Sequence, residues 1–541
     1  MAPQPSPFGV LKVKRKRVFR QLRRLLKVRV WRSYTFREVA VLVVLLCALG
    51  GLFLGSHLFQ WRKAPLIVHS ELWEDRVAAG GSVVATEQTL WQDPPNPEGW
   101  AACTRPIEPY HRLERMLIGE MVIGKSGFLQ VFLEGGLNQQ RIGISNAVVV
   151  ARLLNAVLVL PELDINPVWN DDSSFGEIFD VTHFITTLSD DVHVITSPPW
   201  GLHWNTREYF ATGIRPNRVK DAPLHAPPEW YKDNVLPLLK EYGIVAIAPF
   251  SHRLAFDGLD ANLQKLRCRA NFEALRFIKP IRQLGDEIVQ RMQSDRSGPE
   301  APAGDPPGKA RFLALHLRFD KDMAAHSACY FGGGWRERRE LRRYREYAWQ
   351  GRVEKVQHSE EELRRTGKCP MTPEETGLFL AGVGFSPDTR IYLASYDVYG
   401  GEARLAPLRT LFPHVRDKYA LASAAELAWF EGHASRLAAL DYHVLLQADV
   451  MVSAAAGNMH NVLGGHRMFL GPKKTINPDN VLLAQLWSNS SIGWKEFSER
   501  VHKGHASRVG QVKLRKKGQS IYTYPGPDCM CSPETNETYR T

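Results

Sequence analysis

The sequence predicts an α/β protein in which two halves, each built on a parallel sheet, face each other across a cleft. Three apolar, strand-like runs carry this prediction. Each gives way at once to a polar loop that can begin a helix, and these loops are residues 134–141, 316–322 and 454–460. Free backbone N–H groups and the helix dipole meet at such a loop and favour an anion. Loops of this kind from both halves are expected to line one ligand site.

Length and charge narrow the class of protein. The chain has 541 residues, of which 44% are hydrophobic, and this length predicts two or three domains rather than one core. The net charge is +12, but residues 1–38 hold twelve Lys or Arg and one acidic residue. The remaining residues carry 57 basic against 56 acidic side chains. A body so close to neutral argues against a nucleic-acid partner.

Residues 39–59 are 21 residues without Asp, Glu, Lys or Arg. At about 1.5 Å per residue this run can cross a hydrocarbon core of roughly 30 Å. Most of the positive charge precedes it, which predicts a cytosolic N-terminus, a signal anchor and a lumenal body. The alternative is a cleaved signal peptide, for which the run is long and starts late.

Composition divides the rest of the chain. Residues 294–308 contain four prolines and three glycines, which predicts a surface linker between two halves. We therefore predict six segments: a basic tail (1–38), a transmembrane anchor (39–59), a stem (60–125), an N-terminal Rossmann-like domain (126–300), a C-terminal Rossmann-like domain (309–500) and a C-terminal tail (501–541).

Periodicity predicts the elements in order. In the first half a strand at 128–133 precedes a helix over 139–155 and a strand at 157–160, which is a βαβ unit. The second half shows the same alternation of strands and helices, with predicted strands at 311–317, 390–395 and 449–453. Predicted helices cover 372–383, 403–411 and most of 423–447, with a break at Gly432. The basic segment 335–346 mixes both signs of charge and is predicted to be a solvated helix or loop over the cleft.

Cysteines and sequons fit a lumenal body. Cys47 falls within the predicted anchor, and the other six can form up to three disulfides in 15 pairings; they are Cys103, Cys268, Cys329, Cys369, Cys529 and Cys531. We interpret them as structural rather than catalytic. Asn489 and Asn536 begin N-glycosylation triplets.

The three loops supply the candidate site residues. In the first, Gly135 and Gly136 permit close backbone approach, while Asn138 and Arg141 bring hydrogen-bonding groups to the helix start. Glu134 directly precedes them and is the candidate general base, ahead of Asp164. The alternative is an ordinary strand end facing solvent.

In the second loop, His316 and Arg318 project to one side of a strand end, and Arg318 can pair bidentately with a diphosphate. The alternative is a structural Arg318 paired with Asp320 or Asp322. The pattern Asp320-Lys-Asp322 formally suits a divalent cation, but the neighbouring cations reduce the need for one, so we expect no metal. In the third loop, Ser453, Gly457 and Asn458 can reach a phosphate or ribose, unless this is only a strand–turn–helix joint.

Together these motifs resemble the plant O-fucosyltransferase-like family, relatives of the GDP-fucose protein O-fucosyltransferases. The resemblance spans about residues 125–485. It rests on motifs in the family's order, among them Gly135-Gly-Leu-Asn-Gln-Gln-Arg141, His316-Leu-Arg-Phe-Asp-Lys-Asp-Met323, Cys369-Pro-Met-Thr-Pro-Glu-Glu375 and Gly457-Asn-Met459 with Gly465-His-Arg467.

The resemblance implies a GT-B fold and a Golgi type II membrane protein that transfers a sugar with inversion and without an essential metal. The implied donor is a nucleotide sugar, GDP-fucose, held by the C-terminal domain. The implied acceptor is a cell-wall polysaccharide or a secreted glycoprotein, and other Golgi enzymes are possible partners. By position, Arg318 would hold the diphosphate, His316 and Asp322 the nucleotide, and Ser453 the phosphate. Gly136, Leu137 and Asn138 would line the donor and acceptor side.

Two departures from the family leave the donor open. Asp320 stands where the family usually has Glu, and residues 454–456 are three alanines. The alternatives are a UDP-rhamnose-dependent rhamnosyltransferase for pectin and a non-catalytic Golgi scaffold with the same fold.

Overall fold

The structure is a computed structural model, and it describes residues 69–79, 87–104, 127–165, 171–199, 217–220, 222–294, 310–349, 358–455 and 457–533. The predicted anchor at 39–59, most of the linker and Asn536 lie outside these ranges. Within them, none of the helices combines the length and the apolar character that crossing a membrane requires.

Thirteen strands are described, and in chain order they are β1 Ala101–Ala102, β2 Phe128–Leu133, β3 Val157–Val159, β4 Glu162–Leu163, β5 Val194–Ile195, β6 Arg218–Val219, β7 Ile244–Ile247, β8 Leu313–His316, β9 Ile391–Ala394, β10 Val415–Arg416, β11 Val450–Ser453, β12 Thr475–Ile476 and β13 Met530–Cys531. Helices connect nearly all of them.

Two helices of the predicted stem, Ser70–Ala78 and Glu87–Leu90, pack against the core of the second half. The helices of the first half are Leu137–Leu153, Phe175–Ile178, Val181–Leu188, Pro228–Asn234, Leu236–Tyr242, Ala261–Arg269 with a π-helical end Ala270–Ala274, and Lys279–Ser294. Those of the second half are Lys321–His326, Gly334–Ala348, Glu360–Arg365, Pro373–Val383, Glu402–Leu411, Lys418–Leu421, Ala424–Leu427, Ala434–Gln447, Asn458–Phe469, Asn480–Trp487 and Trp494–His505.

Two parallel sheets form the body, which confirms the predicted α/β class. The first has the order β5-β3-β2-β7-β6, with β4 beside the end of β2, and the second has the order β10-β9-β8-β11-β12. In each sheet the first strand in sequence lies in the middle, so the chain leaves it in opposite directions. Ligands bind at the carboxyl ends of strands at such a switch point.

Several local predictions are confirmed because local chemistry determines them. Thr372 caps the helix Pro373–Val383, and Glu375 completes a capping box with Thr372. The break at Gly432, where φ is +77°, separates the helices Ala424–Leu427 and Ala434–Gln447. The basic segment forms the helix Gly334–Ala348.

The two sheets share one continuous cluster of buried side chains, which includes Leu129 and Val131 of β2 and Phe312 and Ala314 around β8. The helix Leu137–Leu153 is almost entirely buried within it. Polar contacts add to this joint, since Arg436 donates to the Ser173 hydroxyl at 3.1 Å and to the Glu177 carboxylate. The halves therefore meet over a packed interface.

Three disulfides confirm that the six cysteines are structural. They join Cys103 to Cys531, Cys268 to Cys529 and Cys329 to Cys369. The first lies beside the antiparallel pair β1–β13, and the second ties the C-terminal stretch to the helix Ala261–Arg269. The described part of the region 501–541 is thus fastened onto the first half.

Candidate functional site

The carboxyl ends of β8 and β11 lie side by side. His316 and Ser453 are register partners on these strands, and the His316 Nδ1 atom is 2.9 Å from the Ser453 hydroxyl oxygen. The chain then turns into the helices Lys321–His326 and Asn458–Phe469. The second and third predicted loops are therefore neighbours in space.

A cleft of about 250 Å³ opens at these strand ends and at the end of β2. It brings together eight of the predicted site residues, namely Gly136, Leu137, Asn138, His316, Arg318, Asp320, Asp322 and Asn458. Since these residues come from all three loops, the cleft joins the two sheets as the sequence predicted.

Arg318 presents a partly exposed guanidinium to this cleft. Its Nε atom lies 4.0 Å from the Asp320 carboxylate, and the side chain is 33% exposed. A β-carbon at Gly457 would lie only 3.2 Å from the Arg318 Nη1 atom, so glycine at 457 lets the guanidinium approach the start of the helix Asn458–Phe469. A cation beside a helix N-terminus is a site for an anion.

Asn138 lies on the other wall of the cleft, in the first turn of the helix Leu137–Leu153. Its side chain is 7% exposed, and among the described residues no donor reaches its buried Oδ1 atom. A buried carbonyl oxygen without a partner is costly. Asn138 therefore has the geometry of a ligand-binding amide.

Glycines shape the turn that places Asn138. Gly135 has φ +93°, a conformation that L side chains rarely adopt, and a β-carbon there would collide with the Gln139 side chain. The Gly136 amide donates to the Gln139 Oε1 atom at 3.2 Å, which caps the helix. Gly135 thus serves the backbone of the turn rather than the cleft wall.

Arg141 does not serve the site as the sequence suggested. Its guanidinium is buried, donates to the backbone carbonyls of Asn271 at 2.6 Å and Leu275 at 3.1 Å, and lies over the ring of Tyr442. The long side chain of Arg141 carries its guanidinium away from the cleft and into the core that the two halves share. Arg141 is structural.

His316 is uncharged in the folded protein. Burial, with smaller contributions from Arg318 and His460, lowers its pKa to about 3. Ser453 directs its single hydroxyl proton to the Ala455 carbonyl at 3.1 Å, so the His316 Nδ1–H is assigned as the donor to Ser453. The Nε2 atom of His316 is then a hydrogen-bond acceptor for a hydroxyl or N–H group.

The two aspartates of the second loop have separate roles. Asp320 caps the helix Lys321–His326 by accepting from the Met323 amide at 2.8 Å, and Asp322 accepts from the Trp349 Nε1 atom at 3.0 Å. Burial raises the pKa of both carboxyl groups.

Within the described chain, the side chains close enough together to hold a metal ion are Asp171, Asp172 and His433. The Asp171 carboxylate, however, already accepts hydrogen bonds from the backbone amides of Ser173 and Ser435.

Glu134 and Asp164 lie near each other at the ends of β2 and β4. Glu134 is exposed and is not part of the cleft lining. Burial, followed by the nearby charges of Glu162 and Glu134, raises the pKa of Asp164 to about 6. At neutral pH the Asp164 carboxylate can therefore accept a proton.

The sequence did not predict one further group of cleft-lining residues. Lys418 donates to the Asp441 carboxylate at 3.0 Å, and the Tyr392 hydroxyl donates to the other Asp441 oxygen at 2.7 Å. Lys418 and Asp441 line the cleft together with Trp349 and Tyr396. These residues follow separate elements and form no local motif, so no signal in the sequence could have identified them.

Buried neutral histidines predict sensitivity to acid. Burial lowers the pKa of His316 to about 3 and that of His466 well below its usual value, whereas in the unfolded chain both titrate near ~6.5. Below that pH the unfolded chain binds more protons, so stability is lost as the pH falls from about 6.5 towards the folded pKa values. The carboxyl groups whose pKa values are raised oppose this trend; they are Asp164, Asp320, Asp322 and Asp441.

We therefore expect the melting temperature to fall steadily between pH 7 and about pH 4.5, before the low-pKa carboxylates begin to contribute. Scanning calorimetry over this range measures it, with His316→Gln expected to flatten the slope. A melting temperature that stays constant down to pH 5 would contradict the view that buried neutral histidines make the fold sensitive to acid.

Comparison with known proteins decides the family. The family described as GDP-fucose protein O-fucosyltransferase matches residues 128–470. The protein O-fucosyltransferase 31 of Arabidopsis thaliana is 52% identical over 485 residues, which are 88% of this chain and 91% of that protein. The chain belongs to the O-fucosyltransferase family. It is therefore a glycosyltransferase.

A second relative and a solved structure also align with most of the chain. O-fucosyltransferase 39 of Arabidopsis thaliana is 54% identical over 420 residues, 75% of this chain and 83% of that protein. Among solved structures, POFUT1 in complex with GDP aligns with 65% of this chain and 99% of its own chain, at 13% identity and a TM-score of 0.35. The family match includes all three loops that form the cleft.

Proposed function

We propose that this glycosyltransferase transfers fucose from GDP-fucose, with inversion, to a hydroxyl group of a polysaccharide or glycoprotein acceptor. In this proposal the two sheets are the cores of two Rossmann-like domains in a GT-B arrangement, and the cleft between them is the active site. The observation that carries it is the cleft itself, which Arg318 of the second half and Asn138 of the first half both line. Family membership and a name such as O-fucosyltransferase 31 support the same donor.

The chemistry follows from the charges. As the bond to the sugar breaks, negative charge grows on the departing diphosphate. Arg318 and the amides at the start of the helix Asn458–Phe469 are positioned to stabilise it. Asn138 would offer its unpartnered amide oxygen to a sugar hydroxyl, and neutral His316 would accept from the nucleotide. No step in this scheme requires a metal ion.

A donor panel tests the function directly. The purified full chain is incubated with GDP-fucose or UDP-rhamnose and an acceptor extract, and released GDP or UDP is measured. We expect release of GDP and a thermal shift with GDP, since a ligand that binds only the folded state stabilises it. Release of UDP from UDP-rhamnose would assign the rhamnosyltransferase alternative, and no shift with either nucleotide would favour the scaffold.

Inverting transfer also needs a base for the acceptor hydroxyl. We propose Glu134, because it directly precedes the cleft-lining turn Gly136–Asn138. Asp164, whose pKa is raised to about 6, lies beside it and is the alternative base. Glu134→Gln is expected to lower kcat by about 10²–10⁴-fold, the usual contribution of a positioned base. The thermal shift with GDP should stay unchanged. If Asp164→Asn causes the loss and Glu134→Gln does not, the assignment is reversed.

The location is proposed from the sequence pattern. The basic tail before residues 39–59 favours a type II Golgi membrane protein with a lumenal body. Asn489 is exposed and consistent with glycosylation there. Protease protection of sealed Golgi vesicles, with and without detergent, tests the orientation. Digestion of the body in intact vesicles would contradict it.

A further inference from the structure

The helix Gly334–Ala348 forms one side of a solvent-open hollow of about 440 Å³. Four cations and three large aromatic rings contribute to it, namely Lys321, Arg336, Arg339 and Arg343 with Trp335, Tyr344 and Tyr347. Trp335 is 66% exposed and Tyr347 is 83% exposed. Large rings left this open on a surface mark a place for a partner.

The cations of this basic hollow outnumber its carboxylates. One carboxylate, Glu340, lines it, and that group pairs with Lys321 at 2.5 Å between Nζ and Oε1. Arg339 and Arg343 are exposed, and neither has an ion-pair partner within the described ranges of the chain. The hollow therefore offers guanidinium groups that bind carboxylates bidentately.

Spacing distinguishes a polymer from a compact anion. Residues 335, 339, 343 and 347 are four apart and lie along one stripe of the helix, about 6 Å from one to the next along its axis. Along this stripe the two cations Arg339 and Arg343 lie between two flat rings, those of Trp335 and Tyr347. Repeated carboxylates on a chain of sugar rings suit this pattern, because guanidinium groups bind the carboxylates and aromatic rings pack on the apolar faces of the sugars.

The basic hollow adjoins the cleft through the contact between Tyr344 and Asp322. Tyr344 lines the hollow and hydrogen-bonds to Asp322, while Asp322 and Trp349 line the cleft. A polymer bound in the hollow therefore leads to the wall of the cleft where transfer would occur.

We propose that the basic hollow binds the acceptor, and that this acceptor is an anionic polysaccharide whose sugar residues carry carboxylates. That the bound glycan is the acceptor rests on the proposed function. That the hollow binds an anionic glycan rests on the hollow alone. Binding is electrostatic in part, so it weakens with added salt.

Binding of a de-esterified oligogalacturonide to the full chain, measured by microscale thermophoresis, tests the proposal. The same oligomer with methyl-esterified carboxylates is the matched ligand control. We expect the acidic oligomer to bind about 10-fold more tightly than the ester, and Arg339→Ser/Arg343→Ser to remove about that factor. The control variant Arg365→Ser/Arg500→Ser removes two exposed arginines that do not line the hollow and should bind like the parent.

Equal affinity for the acidic and esterified oligomers would overturn the proposal. So would unchanged affinity in the hollow variant, or tighter binding to polyglutamate or to phosphatidylserine vesicles. The thermal shift with GDP is measured on the same samples. A thermal shift with GDP but no glycan binding would contradict the proposal for the hollow and support the proposed function. Glycan binding without a thermal shift would support the hollow as a glycan site and contradict the proposed function.

Discussion

Arg318→Ala is expected to abolish most transferase activity while the protein stays folded. The guanidinium is partly exposed in the cleft, and its ion-pair contact with Asp320 is long, at 4.0 Å. Its loss therefore costs little stability. Removing one group that stabilises developing charge lowers kcat by about 10²–10³-fold. Losing charge-assisted hydrogen bonds to a diphosphate should also weaken GDP binding by roughly 10- to 100-fold.

The measurement pairs GDP release with the thermal shift caused by GDP. Arg318→Lys keeps the charge but not the two-pronged geometry, so an intermediate effect is expected. Arg365→Ala is the matched control, because Arg365 is exposed on the helix Glu360–Arg365 and is not part of the cleft. Wild-type affinity for GDP in Arg318→Ala would mean that the diphosphate binds elsewhere.

Arg467→Ala is expected to destabilise the fold strongly, far more than substitution of an exposed arginine. Arg467 is fully buried, and burial lowers its pKa to about 10. Its guanidinium donates to the carbonyl oxygens of Ala448 at 2.8 Å, Leu445 at 2.9 Å and Lys474 at 2.9 Å. It thereby caps the C-terminal end of the helix Ala434–Gln447 and joins that end to the residue before β12.

Truncation leaves these buried carbonyl oxygens without donors. Breaking such a buried, charged network costs about 3–5 kcal/mol, which we expect to lower the melting temperature by at least about 5 °C. Arg467→Lys should recover part of this loss, since an ammonium can still donate to some of the carbonyls. Arg500→Ala, at an exposed position, should change stability by less than about 0.5 kcal/mol. Equal melting temperatures for Arg467→Ala and Arg500→Ala would refute the role of the network.

Much of the site could be predicted because its residues follow strands directly. A strand that ends in a parallel sheet must deliver the next few residues to one edge of that sheet. His316 and Arg318 therefore reach the same cleft as Asn138 and Asn458. Ser453, Gly457, Gly135 and Glu134 support or adjoin that edge without lining the cleft.

The sequence by itself determined the local features, namely the α/β alternation, the helix start at Thr372, the break at Gly432 and the three loops. Hydrophobic period, caps and glycine conformations act over a few residues, so they can be read along the chain. Only the tertiary structure decided which cysteines pair, that Arg141 belongs to the core, and that Lys418 and Asp441 line the same cleft as Arg318. Those contacts join residues distant in sequence, and they depend on how the two sheets pack rather than on any local pattern.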